Sequence, residues 1–208
     1  HLSIRRQRQM CIRDSYHTTG RSAAIWIQNY GPTDVRMLSA ASRAFFETPP
    51  EGFAPSPIFS PRPVVTLAPP EQAAALQAML DAGEGLEPIS LNAVAAMVPP
   101  LRRDYAVAAA IERDAFDMDV AGLHQGFLQL LRRAGGIIAL RHKAGRIERR
   151  DGAWRAETAT GAVFTAPVIV NAAGAWGDEV ARIAGVAPIG LQPKRRTALI
   201  VDPGAHDC

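Results

Sequence analysis

The run Pro167-Val168-Ile169-Val170-Asn171-Ala172-Ala173-Gly174-Ala175-Trp176 limits the fold of this 208-residue chain more than any other stretch. Three successive β-branched residues without polar alternation are the mark of a strand buried on both faces, as in a parallel sheet covered by helices. The small residues that follow permit a tight turn, and Asp178 to Ile183 reads as a helix stopped by Gly185. Strand, small turn and helix in immediate succession make up part of a βαβ unit, so the predicted class is α/β. Such a turn brings backbone N–H groups to a helix N-terminus, where phosphate is favoured. Ala and Gly at this place also serve plain close packing, and the turn alone does not separate the two.

The remaining chain supplies helices and a meander around that unit. Gly31-Pro32-Thr33 opens a helix with Val35, Leu38, Ala41, Ala44 and Phe45 at helical spacing, ended by Pro49-Pro50. A proline-rich link to Pro63 leads to a strand at Val64–Leu67, an amphipathic helix at Glu71–Ala82, a short helix capped by Ser90 and a strand at Tyr105–Ile111. This middle section reads as a separate layer. Asp119 caps a helix whose apolar face is Val120, Leu123, Phe127, Leu130 and Leu131, closed by Gly135-Gly136. A strand at Ile137–Leu140 is expected next. A meander at 145–149, 154–158 and 163–165 follows, turned at Asp151-Gly152 and Thr160-Gly161, with Trp154 in its packing.

Composition removes several classes of function. No apolar run approaches the roughly 20 residues of a membrane span, and the first 30 residues lack a signal-peptide core. Cytoplasmic location is expected, free or at the inner membrane face. Cys11 and Cys208 alone give no disulfide framework and no metal spacing. Of 23 basic and 20 acidic residues, positions 1–15 hold four and one, so the rest carries 19 of each. That neutral body, without a basic groove interleaved with aromatics, argues against nucleic acid as a partner. The arginine-rich leader 1–15 shows no helical or strand period and reads as foreign to the natural protein, a real basic tail being the other reading.

The segment His17-Thr18-Thr19-Gly20-Arg21-Ser22-Ala23-Ala24 is too small and polar to build a core. It suits a flat, polar-edged ligand lying against main chain. His17 and His124 have no matched Ser or Cys nucleophile with an orienting acid, so both read as structural, and His142 and His206 receive no role.

Together these pieces resemble one family. The segments HTTGRSAA, PTDVRMLSAASRAFFETPPEGF, RIERRDGAWRAET, VIVNAAGAWGDEVARIAGV and GLQPKRRTALIV are similar to the FAD-dependent oxidoreductases of the D-amino-acid oxidase superfamily. Within it they most resemble bacterial D-amino-acid dehydrogenases of the D-arginine type. The resemblance runs from about Tyr16 to the last residues. It implies a Rossmann-like FAD domain with a parallel sheet and β-meander, at 16–56 and 119–188. A mixed-sheet substrate domain is implied at 57–118, resuming at 189–208. Family members begin with a βαβ unit carrying GxGxxG and continue beyond this chain's length. The chain is therefore expected to be an internal piece, truncated at both ends.

The resemblance also implies roles. Thr18, Thr19, Gly20, Arg21, Ser22, Ala23, Ala24 and Ile25 match the loop around the pyrophosphate and flavin ring. Ala144 matches a backbone contact to adenine, and Asn171, Ala172, Ala173, Gly174 and Trp176 match the turn against the dinucleotide. Tyr30 and Arg196 fall where the substrate carboxylate is held, a phenol and a guanidinium being suited to it. Read without the family, Tyr30 is a half-buried tyrosine at a helix start, Arg196 part of a solvated basic run, and Arg21 a partner of local carbonyls. No residue is expected to act as a strong base. Val64 stands after Ser60-Pro61-Arg62-Pro63 where close relatives carry an acid, and Ile25 and Ile27 replace polar pocket residues. A preference for apolar or neutral D-amino acids over D-arginine is expected. The product would be a 2-oxo acid and ammonia, and the electrons would pass to a quinone-type acceptor or O2. Two rival readings are a related flavoenzyme acting on glycine, sarcosine or a 2-hydroxy acid, and an inert piece that cannot retain FAD.

Overall fold

The computed structural model describes residues 24–194. The leader, His17, the loop residues Thr18, Thr19, Gly20, Arg21, Ser22 and Ala23, and Arg196 and His206 lie outside the described residues. The described chain divides into two compact units, the first ending at Gly135 and the second beginning at Gly136.

The first unit contains β1 (Ile25–Trp26), α1 (Thr33–Glu47), β2 (Phe59–Pro61), β3 (Val64–Ala68), α2 (Ala73–Ala82), β4 (Leu86–Pro88), α3 (Leu91–Met97), β5 (Ala108–Glu112), β6 (Phe116–Met118) and α4 (Val120–Arg133). Its helices start where the sequence provides caps. The Ser90 hydroxyl accepts from the Ala93 N–H at 3.2 Å, and the Asp119 carboxylate accepts from Gly122 N–H at 2.8 Å. Gly135, at φ +78°, ends α4 in the left-handed conformation that glycine adopts without strain.

Two antiparallel three-stranded sheets form, in the orders β1-β6-β2 and β3-β5-β4. In the second, the alanines of β5 let α2 come close, so that Leu76 packs on Ala68 and Ala110 in a fully buried cluster. In the first, side chains rather than strand length supply the cohesion. Trp26 lies 5.7 Å from Phe59 and 5.9 Å from Phe116, and Phe59 and Phe116 stack at 4.6 Å. The Arg43 guanidinium, from α1, stands 5.4 Å from both the Trp26 and Phe116 ring centroids while it bonds Glu47 and Asp114. The short strands β1, β2, β4 and β6 went unpredicted because two or three residues show no period.

The second unit holds β7 (Ala144–Arg150), β8 (Ala153–Thr158), β9 (Val163–Ala166), a 3-10 turn at Gly174–Trp176 and α5 (Gly177–Ile183). The expected meander is present, in the order β7-β8-β9. Its first turn has Asp151 and Gly152 both at positive φ, 53° and 81°, the requirement of a tight hairpin turn. Gly185 at φ +67° stops α5 as expected.

The strand expectations at two segments, and the sheet type built on them, are corrected. Residues 167–171 and 137–140 are not strands, and every strand pairing among the described residues is antiparallel, so neither the parallel sheet nor a mixed one is formed there. A ladder needs an adjacent backbone, no strand among the described residues pairs with these segments, and the expected burial is absent too, with Ile137 84%, Val168 70% and Val170 82% exposed. Two strands of the 57–118 section, β2 and β6, pair in one sheet with β1.

Gly126 of α4 sits against Phe53, where an added Cβ would lie 2.5 Å from ring carbons Cε1 and Cζ. Gly→Ala inside a helix ordinarily stabilises by about 0.5–1 kcal/mol. Here the buried ring must move, so Gly126→Ala is expected to lose about 1–3 kcal/mol in urea unfolding. A second expectation concerns acid. Asp114 is held below the ordinary carboxyl range, chiefly by its side-chain hydrogen bonds to Arg43. A carboxyl with a lowered folded-state pKa stabilises above its unfolded value and loses that contribution as pH falls through the folded one. With a side chain 59% exposed, the pair is worth no more than about 1 kcal/mol. The stability gap between wild type and Asp114→Asn should be present at neutral pH and close as the medium falls below the aspartate range near about 4.

Candidate functional site

The second unit contains a groove of about 600 Å³, within the range of about 300–1,000 Å³ usual for small-molecule sites. Its floor follows from the pleat of the meander. Ile147 pairs with Ala156 and Arg149 with Trp154 across β7 and β8, and all four residues line the groove. Opposite them run residues 167–173 and the α5 side, with Val180, Ala181, Ala184 and Val186. Four residues singled out in the sequence, Ala144, Asn171, Ala172 and Ala173, thus share one cavity. The two others of that set, Gly174 and Trp176, form the 3-10 turn beside it and are not among its lining residues. The meander and α5 walls were missed, although the spacing of two at 147, 149 and at 154, 156 carried the signal.

Asn171 shapes the turn. Its Nδ2 donates to the Gly177 carbonyl at 2.8 Å, and its Oδ1 accepts from the Ala173 N–H at 3.2 Å. Gly174 follows at φ +56°, and nothing stands within 4 Å of where its Cβ would be, which leaves main chain open to a ligand. Arg149 is the one charged lining residue, so the groove favours an anionic or neutral ligand over a cation. The helix dipole adds little here. The first turn of α5 carries Asp178 and Glu179, and the Asp178 carboxylate is committed to the N–H groups of Ile189, Gly190 and Leu191 at 2.9–3.1 Å.

In the first unit, Ala24 takes φ +59° and its carbonyl accepts from the Met118 N–H at 2.7 Å. Ile25, opposite Asp117 in the ladder, is partly exposed, and the next residue, Trp26, is buried. Tyr30 is half exposed before α1, and Val64 begins β3 opposite Glu112. Gln28 N–H donates to the Glu112 carboxylate at 2.7 Å, so the segment before Tyr30 and the Val64 register meet at one residue. His142 Nδ1 lies 2.6 Å from the Leu140 carbonyl and its ring meets Phe164 edge-on. No helix among the described residues is long and apolar enough to cross a membrane.

The DAO family, FAD dependent oxidoreductase, matches residues 11–207. The chain belongs to this family. Its cofactor is FAD, and the groove that joins Ala144 to residues 171–173 has no lining acid to repel a phosphate. Solved structures of the same fold include glycine oxidase from Geobacillus kaustophilus, with a TM-score of 0.67 and 19% identity over 79% of this chain and 47% of that one. L-alpha-glycerophosphate oxidase from Mycoplasma pneumoniae, solved with FAD bound, gives 0.67 and 14% over 81% and 47%. L-amino acid deaminase from Proteus vulgaris gives 0.62 and 14% over 79% and 40%. The chain therefore spans about half the length of these structures.

The resemblance implies that the Asn171 turn meets the cofactor, and a substitution there tests it. Asn171→Ala removes both bonds that pin the turn, and is expected to weaken FAD binding about tenfold, at roughly 1.4 kcal/mol per decade. Flavin fluorescence titration, with far-UV circular dichroism unchanged, checks it.

Proposed function

We propose that the protein takes part in oxidative deamination of a D-amino acid with an apolar or neutral side chain, yielding a 2-oxo acid and ammonia. The observation that supports this reading is the single groove that joins Ala144 to Asn171, Ala172 and Ala173, positions that resemble the family's adenine and dinucleotide contacts. In this reading 16–56 and 119–188 serve the cofactor, and 57–118 with 189–208 serve the substrate.

The cofactor supplies the hydride acceptor. The chain's own work is to bind and orient. Tyr30 and Arg196 hold the substrate carboxylate, the phenol through one hydrogen bond and the guanidinium through two. With the carboxylate fixed and the amine neutral, the Cα–H bond is aimed and breaks with its electron pair, while the nitrogen lone pair closes a C=N bond. Water then adds to that carbon and ammonia leaves. Thr18, Thr19, Gly20, Arg21, Ser22, Ala23, Ala24 and Ile25 line the flavin side in the proposed arrangement, and Gly174 and Trp176 close the dinucleotide turn. No strong base at carbon is required. Reoxidation uses a quinone-type acceptor or O2, in the cytoplasm or at its membrane face.

Side-chain choice turns on Ile25 and Val64. A guanidinium placed beside Val64 loses water without gaining a carboxylate, a penalty expected to be several kcal/mol. The flavin-loaded protein should therefore show a higher kcat/KM for D-leucine than for D-arginine in anaerobic bleaching of the flavin band. Faster reduction by D-arginine overturns the side-chain assignment, and reduction by glycine, sarcosine or a 2-hydroxy acid alone overturns the reaction.

A further inference from the structure

Glu112 is 3% exposed, and no lysine or arginine among the described residues pairs with it. An isolated buried carboxylate is costly unless donors are aimed at both oxygens. Two are. The Gln28 N–H donates to Oε1 at 2.7 Å and the Asn29 Nδ2 to Oε2 at 3.0 Å, across more than eighty residues of sequence. Asn29 is itself 8% exposed and held from its far side, since Nδ2 also donates to the Glu84 carbonyl at 2.8 Å and Oδ1 accepts from the Glu84 N–H at 3.2 Å. Gly83 admits this arrangement. A Cβ there would stand 2.9 Å from Asn29 Oδ1 and 2.8 Å from the Met79 carbonyl oxygen, although the φ of Gly83 is not one reserved for glycine. An apolar pair of similar volume would fill the same space without desolvating a charge, but it would not fix the direction of a backbone N–H.

The partners of this network are the segment that ends in Tyr30 and the strand end that faces Val64. Glu112 closes β5, opposite Val64 on one side and Leu86 on the other. Its backbone therefore sets the β3 register while its carboxylate sets Gln28 and Asn29, and Tyr30 is the next residue.

We infer that Glu112 and Asn29 form a buried clamp that fixes Gln28-Asn29-Tyr30 against the Val64 end of the sheet. Glu112 is thus a positioning residue for the substrate pocket. The clamp stands on the bonds above, whereas its bearing on substrate rests on the function proposed in the preceding section.

The test uses hydrogen exchange of backbone amides in the 208-residue chain and steady-state kinetics in the flavin-loaded protein. Glu112→Gln leaves one of the two donors, the Gln28 N–H or the Asn29 NH2, facing an NH2 group. Protection of the Gln28 and Glu84 amides should fall about tenfold or more while Ala109–Ile111 of β5 keep theirs, a local rather than global opening. Adding Asn29→Asp gives an acceptor to the new NH2 group but takes the donor from the Glu84 carbonyl, so protection should recover at Gln28 and only in part at Glu84. Gly83→Ala should reproduce the loss with the charge intact. In the loaded protein, Glu112→Gln should raise KM for D-leucine severalfold with a smaller change in kcat, and the double variant should reverse part of it. Unchanged protection at Gln28 and Glu84, equal loss throughout β5, or no recovery at Gln28 in the double variant each overturns the clamp. Local loss of protection with KM unmoved overturns the positioning role. If wild type oxidises no D-amino acid, the proposed function fails, and the exchange data still decide the clamp.

Discussion

Every extended segment must find partners for its N–H and C=O groups, either in an adjacent strand or in water. In the first unit that requirement is met over very short spans. β1 has two residues and β2 three, yet both are held because β6 lies between them and offers both edges. Such strands have no stability of their own, and the Trp26, Phe59 and Phe116 rings supply the burial that keeps them paired. Arg43 adds a cation over that aromatic face and anchors it to the β5–β6 turn through Asp114. The same requirement governs the second unit in the opposite sense, for the apolar 167–171 run pairs with no strand among the described residues and lines one wall of a groove.

This separates what could be read from sequence and what could not. Helices announced themselves through caps and stops that act within four residues: Ser90, Asp119, Gly135 and Gly185 all do what their chemistry predicts. The meander was legible for the same reason, because Asp151-Gly152 and Gly161 fix tight turns locally. Ile137–Leu140 and Pro167–Asn171 were misread, since their β-branched content reports a preference to be buried and says nothing about who supplies the ladder. The Ala144 and Asn171–Ala173 grouping was accessible through resemblance alone, because 27 positions separate them and no period connects them. Glu112 escaped notice altogether. In sequence it is one acid among several, and only the fold shows it buried with Gln28 and Asn29 aimed at it.

The two units carry different kinds of polar order. In the second, Asp178 gathers three successive N–H groups of 189–191, and Asn171 bridges its own turn to α5, so local side-chain bonds replace the missing ladder in shaping main chain. In the first, polar bonds run between distant segments: Asn29 to Glu84, Gln28 to Glu112, Arg43 to Asp114, Arg62 to Asp117. The first kind shapes a surface on which a ligand can lie. The second kind fixes separate strands with respect to each other, which is what a pocket selective for substrate shape requires.

The acids along β5 and β6 bear on that selectivity. A pocket that reads a cationic side chain needs a carboxylate with lone pairs to spare, and Val64 removes one where the resemblance places it. The nearby acids do not replace it. Glu112 has an oxygen on each of two N–H donors, Asp114 has both on Arg43, and Asp117 has both on Arg62. In the proposed reading, a substrate guanidinium would have to share an acid that already holds a partner, which lowers the net gain. Neutral side chains meet no such conflict, because Ile25 and Val64 ask only for apolar contact. In the proposed reading, selectivity comes less from attraction to the favoured substrate than from the partners that Glu112, Asp114 and Asp117 already hold.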